Sequence, residues 1–113
     1  MDVVLDKPMA AGKGRTLAAR ETVIFGKILR VRRHEKHFYT SIICPAADEF
    51  SRPSIVELRS EARFGDADEK VRVIGALGGY EGKAYRVVDK DTGETRMVTP
   101  VVHFLDFVEK VAG

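Results

Sequence analysis

The chain has 113 residues, of which 44% are hydrophobic and 32% are charged, so it fits one compact domain and excludes a two-domain enzyme. Its 19 Lys and Arg residues against 17 Asp and Glu residues leave a net charge of +2, too small for bulk charge alone to indicate a nucleic-acid partner. The single cysteine, Cys44, excludes an internal disulfide framework and is typical of a reducing compartment. Since neither an export pattern nor a run of about 20 apolar residues is found, we expect a cytoplasmic protein that does not contact membranes.

Residues 1–20 combine Pro8, Gly12 and Gly14 with short polar or small residues. They lack apolar periodicity, and we interpret them as a mobile arm or a loosely docked extension. From Thr22 onward, β-branched and aromatic runs interrupted by glycine are typical of short strands. The domain is therefore expected to cover residues 21–113.

The first two strand regions follow directly. TVIFGKILRVRRHEK is too long for a straight strand, and Gly26 in its middle predicts a bulge or bend that lets one strand serve two sheet layers. HFYTSIICP alternates Thr40 and Ile42 with Tyr39 and Ser41, which predicts one inward and one outward face.

Three further regions complete the pattern. SIVELRSE places Val56 and Leu58 on one face, and KVRVIGALGGY buries Val71 and Val73 before a cluster of glycines. The last region, KAYRVVDKDTGETRMVTPVVHFLDFVE, contains a turn in which Gly93 suits the left-handed position of a hairpin. Five short strands, glycine corners and no strong amphipathic helix predict an all-β fold, a small closed or nearly closed barrel.

Charge is distributed unevenly along these strands. Residues 21–37 form a basic ridge of five Lys and Arg residues against two Glu residues, residues 38–69 have three basic against seven acidic residues, and residues 70–99 have six against four. Taken alone, a charged run is most simply a solvated strand face. The segments nevertheless predict a polarised surface.

Aromatic residues accompany the cations. Tyr39 follows the basic ridge, and Tyr80 and Tyr85 flank Lys83 and Arg86. Single-stranded nucleic acid requires such a mixture, because bases stack on rings while cations neutralise phosphates. For the three tyrosines, packing and nucleic-acid contact both stay open. The following phenylalanines are expected in the core or at the barrel ends: Phe25, Phe38, Phe64, Phe104 and Phe107.

Catalytic and metal-binding patterns are not met. His34 and His37 in HEKH lack the HExxH spacing, and one cysteine completes no metal site. The runs GALGGYEG and AAGKGRT lack the glycine spacing of nucleotide-binding loops. FGDADEK is interpreted as a solvated reversal between strands, and Cys44 as a small buried apolar residue. We therefore expect no enzyme, no cofactor and no metal.

Three segments carry a resemblance: GKILRVRRHEKHFYTSIICPA, VELRSEARFGDADEKVRVIGALGG and YRVVDKDTGETRMVTPVV. Together, over about residues 22–109, they resemble the OB-fold single-stranded DNA-binding proteins of bacteria, phages and plasmids. The resemblance is strongest in the hairpin, where aromatic and basic residues precede D-x-x-T-G-E-x-R. It implies a five-stranded OB-fold Greek-key barrel with a long hairpin between its fourth and fifth strands.

The chain departs from the general bacterial protein in three respects. It has no tryptophan, its connection between the third and fourth strands is short for the usual helix, and it ends in FVEKVAG instead of an acidic, apolar tail tip. A chain without this tail also resembles primosomal replication protein N, a dimeric OB-fold relative. The resemblance thus implies a homodimer, with a tetramer as the next expectation.

The leading hypothesis is a non-enzymatic protein that binds single-stranded DNA with little sequence preference, in DNA replication, recombination or repair. We expect it in the cytoplasm, associated with the nucleoid, together with replication or recombination proteins. The predicted nucleic-acid-binding residues are Lys27, Arg30, Arg32, Tyr39, Arg59, Arg72, Tyr80, Lys83, Tyr85, Arg86 and Arg96.

Two alternatives stay open. In the first, the chain is an OB-type protein-interaction or assembly module, with Ile43 or Ile55 exposed beside Tyr39 as a docking face. In the second it binds single-stranded RNA, because stacking does not distinguish the sugar.

Overall fold

The computed structural model describes residues 16–111. The strands are β1 (Glu21–His34), β2 (His37–Cys44), β3 (Ser54–Ser60), β4 (Lys70–Glu81), β5 (Tyr85–Val88), β6 (Thr95–Val98) and β7 (Val101–Lys110). No helix occurs within this described range, and the all-β prediction is confirmed.

Five of the strands close a barrel in the order β1-β2-β3-β7-β4. Neighbours pair antiparallel, except that β3 and β7 run parallel. The closed five-stranded barrel is confirmed and is consistent with an OB-fold; the Greek-key description stays a prediction. The predicted long hairpin is formed by β4 and β7, with β5 and β6 pairing beyond them as a separate two-stranded sheet, which we call the ribbon.

Strand β1 serves two neighbours in turn. It pairs with β4 up to Lys27 and with β2 from Lys27 onward, as its length predicted. The bulge is not at Gly26, as predicted, but between Ile28 and Arg30, where the register shifts by one residue. Gly26 has another role, since a Cβ there would collide with the carbonyl oxygen of Ile43. Its missing side chain lets β1 and β2 approach closely where β1 changes partner.

The bulge determines which side chains of β1 face outward. Side chains alternate between the two faces of a strand, and before the bulge Ile24 and Ile28 are buried. The extra residue, Leu29, shifts this alternation by one position. As a result four exposed side chains continue along the outer surface, which we call the outer row of β1: Phe25, Lys27, Arg30 and Arg32.

The barrel core contains Val71 and Val73, which were predicted to be buried, together with Ile42 and Leu58. Ile42, Leu58 and Val73 are fully buried, and Val71 is 3% exposed. The rings of Phe64 and Phe107 stack beside this core, with centroids 4.3 Å apart and planes 7° apart. Phe25 was expected in the core or at a barrel end, and it is not in the core, because its position on the outer row leaves it 43% exposed.

The chain reversal predicted for FGDADEK, between β3 and β4, is hydrogen-bonded to β1 at the bulge. The backbone N–H of Ile28 donates to the carbonyl of Glu69 at 2.9 Å, and that of Asp68 donates to the carbonyl of Ile28 at 2.8 Å. Asp68 takes a left-handed backbone with φ of 72°, which Asp tolerates better than most residues. Both backbone groups of Ile28 are therefore satisfied where β1 changes partner.

Residues 16–20 contact the barrel. Leu17 is buried against Ile74, and the guanidinium Nε of Arg20 donates to the carbonyl of Leu77 at 3.0 Å. Most of the arm predicted for residues 1–20 lies outside the described residues, and the domain boundary at residue 21 stays a prediction.

Candidate nucleic-acid interface

A groove lies on the outside of the barrel where β2, β3, β4 and β7 come together. Four of its lining residues are Tyr39, Arg59, Tyr80 and Phe104, and we call it the ring groove. Arg59 is the direct cross-strand neighbour of Tyr39, and the rings of Tyr80 and Phe104 have centroids 6.3 Å apart. Two of the three tyrosines singled out in the sequence thus share one wall with a guanidinium group.

The guanidinium of Arg59 is held in a fixed orientation. Its Nε and Nη2 donate to the two carboxylate oxygens of Asp106 at 2.7 and 3.0 Å, and its Cζ lies 4.2 Å from the centre of the Phe104 ring. The hydrogen bond to Asp106 raises the pKa of Arg59 further. Because a two-point charged pair constrains a planar group strongly, Arg59 offers a flat surface on which a base could stack, and its charge is already compensated.

Arg32 is held less firmly. Its guanidinium lies over Tyr39 at 4.4 Å from the ring centre, and its Nη2 is 3.4 Å from the Glu57 carboxylate. Both partners of this ion pair are about half exposed, so the pair contributes little stability. Arg32 can therefore exchange Glu57 for a phosphate at low cost, which Arg59 cannot do so easily with Asp106.

The remaining predicted cations of the barrel lie elsewhere on the same outer surface. Lys27 and Arg30 belong to the outer row of β1. Arg72 is the cross-strand neighbour of Phe25, and its guanidinium lies 4.9 Å from the centre of that ring. The ring of Phe25 was missed as an exposed site residue; its spacing of two from Lys27 was the signal that could have revealed it.

The hairpin residues are not brought into the ring groove by strand pairing. Tyr85, Arg86 and Arg96 belong to the ribbon, where Tyr85 pairs with Val98 and Arg86 with Met97, and Lys83 precedes it. Successive side chains alternate, so Tyr85 and Arg96 share one face of the ribbon and Arg86 lies on the other. The turn of the ribbon has the expected left-handed glycine, Gly93, with φ of 78°.

Two residues around Arg59 were missed. Phe104 was expected in the core or at the barrel ends but lines the groove, half-buried beneath Arg59, and Asp106, which accepts the hydrogen bonds of Arg59, was not considered. Ile43 and Ile55, expected beside Tyr39, instead pair with each other near the far end of β2. The prediction of a docking face with Ile43 or Ile55 beside Tyr39 is therefore wrong in the position of that face, although the Ile55 side chain is 61% exposed.

Groups that could carry other chemistry are few. Across residues 16–111 no cluster of three or more His, Cys, Asp or Glu side chains could hold a metal ion. In the same range no helix could cross a membrane. Burial raises the pKa of the Cys44 thiol, which favours its neutral form and fits a packing residue.

The closed five-stranded barrel with its ring groove defines an OB-like barrel protein. The chain is 31% identical over 90 residues to a DNA-binding protein of Escherichia phage If1, a match that covers 79% of this chain and 93% of the phage protein. The chain belongs to the family of this phage DNA-binding protein. No family model matches the chain, and no solved structure matches it significantly.

The phage relative is named for DNA binding and not for a reaction. This agrees with the expectation that the protein is not an enzyme, and the protein is not one. The phage part of the resemblance stated from the sequence is supported. The likeness to primosomal replication protein N stays a prediction.

Proposed function

We propose that the protein binds single-stranded DNA with little sequence preference, using the ring groove and the two cations of the outer row of β1 that lead to it, Arg30 and Arg32. The observation that carries the proposal is the placement of Tyr39 and Tyr80 in one groove, with the fixed guanidinium of Arg59 beside them. The phage relative, a DNA-binding protein by name, supports DNA as the ligand.

The chemistry of the groove favours single strands over duplexes. A ring can stack on a base only where the face of that base is free, and in a duplex both faces are covered by neighbouring base pairs. Each stack on an aromatic side chain contributes about 1–3 kcal/mol and tolerates any base, since every base has a flat face. Rings and cations together therefore bind strongly without reading sequence.

The setting proposed is DNA replication, recombination or repair in the cytoplasm, where single strands are exposed and replication or recombination proteins assemble on them. A homodimer is the proposed assembly. Its support is the ribbon, one face of which exposes Val88 and Met97 at 56% and 63%, because an isolated two-stranded sheet is only marginally stable in water. A second copy of the chain would cover these side chains.

Direct binding measurements test the proposal. A labelled oligothymidylate is titrated with the full chain, with unlabelled duplex DNA and RNA of equal length as competitors. We expect the single-stranded DNA to compete far better than the duplex. Equal competition by the duplex would contradict the proposal. Stronger competition by RNA than by single-stranded DNA would mean that the ligand is single-stranded RNA.

Variants of Tyr39 separate stacking from charge. Tyr39→Leu should weaken binding about 5- to 150-fold, the equivalent of one lost stack, while Tyr39→Phe keeps the ring and should bind nearly as well as the wild type. Melting temperatures of both variants show whether the fold is retained. If the leucine variant folds and binds with unchanged affinity, the ring groove is not the binding surface.

A further inference from the structure

A second ring lies on the outer surface beside cations, away from the ring groove. Phe25 pairs with Arg72 across β1 and β4, and Lys27 pairs with Lys70 in the same ladder. Since residues two apart face the same side of a strand, these four side chains form one patch of two by two positions. We call this patch the basic corner.

The basic corner adjoins an apolar pocket. Phe25, Lys27 and Lys70 line the pocket together with Ile43, Pro45 and Pro53. The Phe25 ring is 43% exposed. Ile24, the residue before it on β1, is buried. The pocket thus offers a flat apolar surface with positive charge at its edge.

The charge of the basic corner is uncompensated, unlike that of the ring groove. Arg32 and Arg59 are each paired with a carboxylate, whereas in the part of the chain that the structure describes, Lys27 and Lys70 have no acidic partner. Like charges directly opposite one another in an antiparallel pair are destabilising. The pairing of these two lysines therefore does not stabilise the fold. An anionic ligand that neutralises both charges would account for their position.

We propose that the basic corner is a second nucleotide subsite, in which a base of a longer DNA strand stacks on Phe25 while Lys27 and Lys70 contact its phosphates. The inference rests on the proposed binding of single-stranded DNA. Arg30 lies between Lys27 and Arg32 on the outer row, so an unbroken line of cations leads from the basic corner to the ring groove. This continuity favours a nucleotide over an acidic, apolar peptide, which the same charges would also attract.

A series of oligothymidylates from about 4 to about 16 nucleotides, the range of sites on such barrels, tests the inference. In the wild type, affinity should rise again once the strand is long enough to reach the basic corner. Phe25→Leu should reduce the affinity for long strands about fivefold or more and leave that for the shortest binding strand within twofold. Phe25→Tyr, which keeps the ring, is the matched control.

The double variant Lys27→Gln/Lys70→Gln tests the charge separately. Because it removes two opposed like charges, it should fold at least as stably as the wild type. For long strands, the slope of log K against log salt should become shallower by about 1.4, from about 0.7 per phosphate contact on a single strand. For short strands the slope should not change.

The outcomes distinguish the two proposals. If Tyr39→Leu loses binding but neither basic-corner variant changes the affinity at any length, the second subsite is overturned and the proposed function stands. If the wild type does not bind single-stranded DNA, both the proposed function and the second subsite are contradicted. If these variants instead lose binding of a labelled acidic, apolar peptide while DNA affinity at every length is kept, the basic corner is a protein-docking site and the inference is overturned.

Discussion

Arg59 and Asp106 show how one carboxylate can change the role of a cation. The pair joins β3 to β7 at the residues that form their parallel register, and the guanidinium also covers Phe104. An arginine held at two points is a poor partner for a phosphate but a good platform for a base. In the ring groove, Arg59 thus acts with the rings more than with the other cations.

Asp106→Asn should therefore tighten DNA binding. Loss of one negative charge beside the strand is worth about 1 kcal/mol at about 4 Å in a water-like medium, so we expect about a fivefold gain at low salt and a steeper salt dependence. The melting temperature should fall, since the charged pair between β3 and β7 is broken. Asp68→Asn removes the same charge from the reversal between β3 and β4, and serves as the control in the same titration.

Thr40 carries an unsatisfied polar group. Its side chain is fully buried, and among the described residues its hydroxyl has no hydrogen-bond partner. Thr40→Val keeps the shape and removes the buried hydroxyl, so it should raise the free energy of unfolding by about 1 kcal/mol. Urea denaturation, with Thr22→Val at an exposed position near the start of β1 as control, measures the effect. A destabilised Thr40→Val would mean that the hydroxyl is satisfied in solution.

At the scale of elements, the reversal between β3 and β4 supports both β1 and β7. Beyond its backbone bonds to Ile28, Glu69 accepts hydrogen bonds from the Asp66 backbone N–H at 3.1 Å and from the Lys110 ammonium at 3.2 Å. The backbone bond first, and then Lys110, lowers the pKa of Glu69. The charged carboxylate is thus the form that the folded state prefers.

Glu69→Gln should therefore destabilise the protein in a pH-dependent way. A pKa lowered by folding gives stability that is present above the ordinary glutamate pKa of about 4.3 and is lost as the pH falls through the lowered value. The melting temperature of the variant should lie below that of the wild type at pH 7, and the difference should close in acid. Glu81→Gln, at the exposed end of β4, is the control, and a difference independent of pH would contradict the role of charge.

Sequence patterns revealed the strands well and the surface less well. Alternation predicted that Val73 is buried and grouped Ile42 and Leu58 with their face neighbours, and all three are inside, because burial in a closed barrel follows period two. The expectation for Phe25 came from residue type alone. The bulge that keeps Arg30 and Arg32 on the same side as Phe25 depends on how the loop carrying Glu69 meets β1, a contact between distant parts of the chain. The ion pair of Arg59 with Asp106 was missed for the same reason.

At the scale of the whole molecule, the described residues divide between the closed barrel and the ribbon. The ribbon forms its own sheet outside the barrel, which makes it the natural place for contacts with a second copy or with a strand that leaves the barrel surface.

The salt dependence of DNA binding is a property of the whole molecule, because every phosphate contact contributes to it. With a net charge of only +2, long-range attraction is weak, and binding must come from cations placed along one surface. If about four phosphates are neutralised, log K should fall with log salt with a slope of about −3. Titrations between low and moderate salt measure it, and a flat response would argue against the outer row as the binding surface.

The extra residue in β1 has an evolutionary consequence. Relatives can exchange lysine for arginine along the outer row and keep the surface, because such changes preserve which side chains face outward. Gain or loss of a single residue between Lys27 and Arg30 would instead turn Arg30 and Arg32 toward the interior and Val31 toward water. Divergence in this family is thus expected to proceed by substitution in this stretch, while changes of length accumulate in the loops.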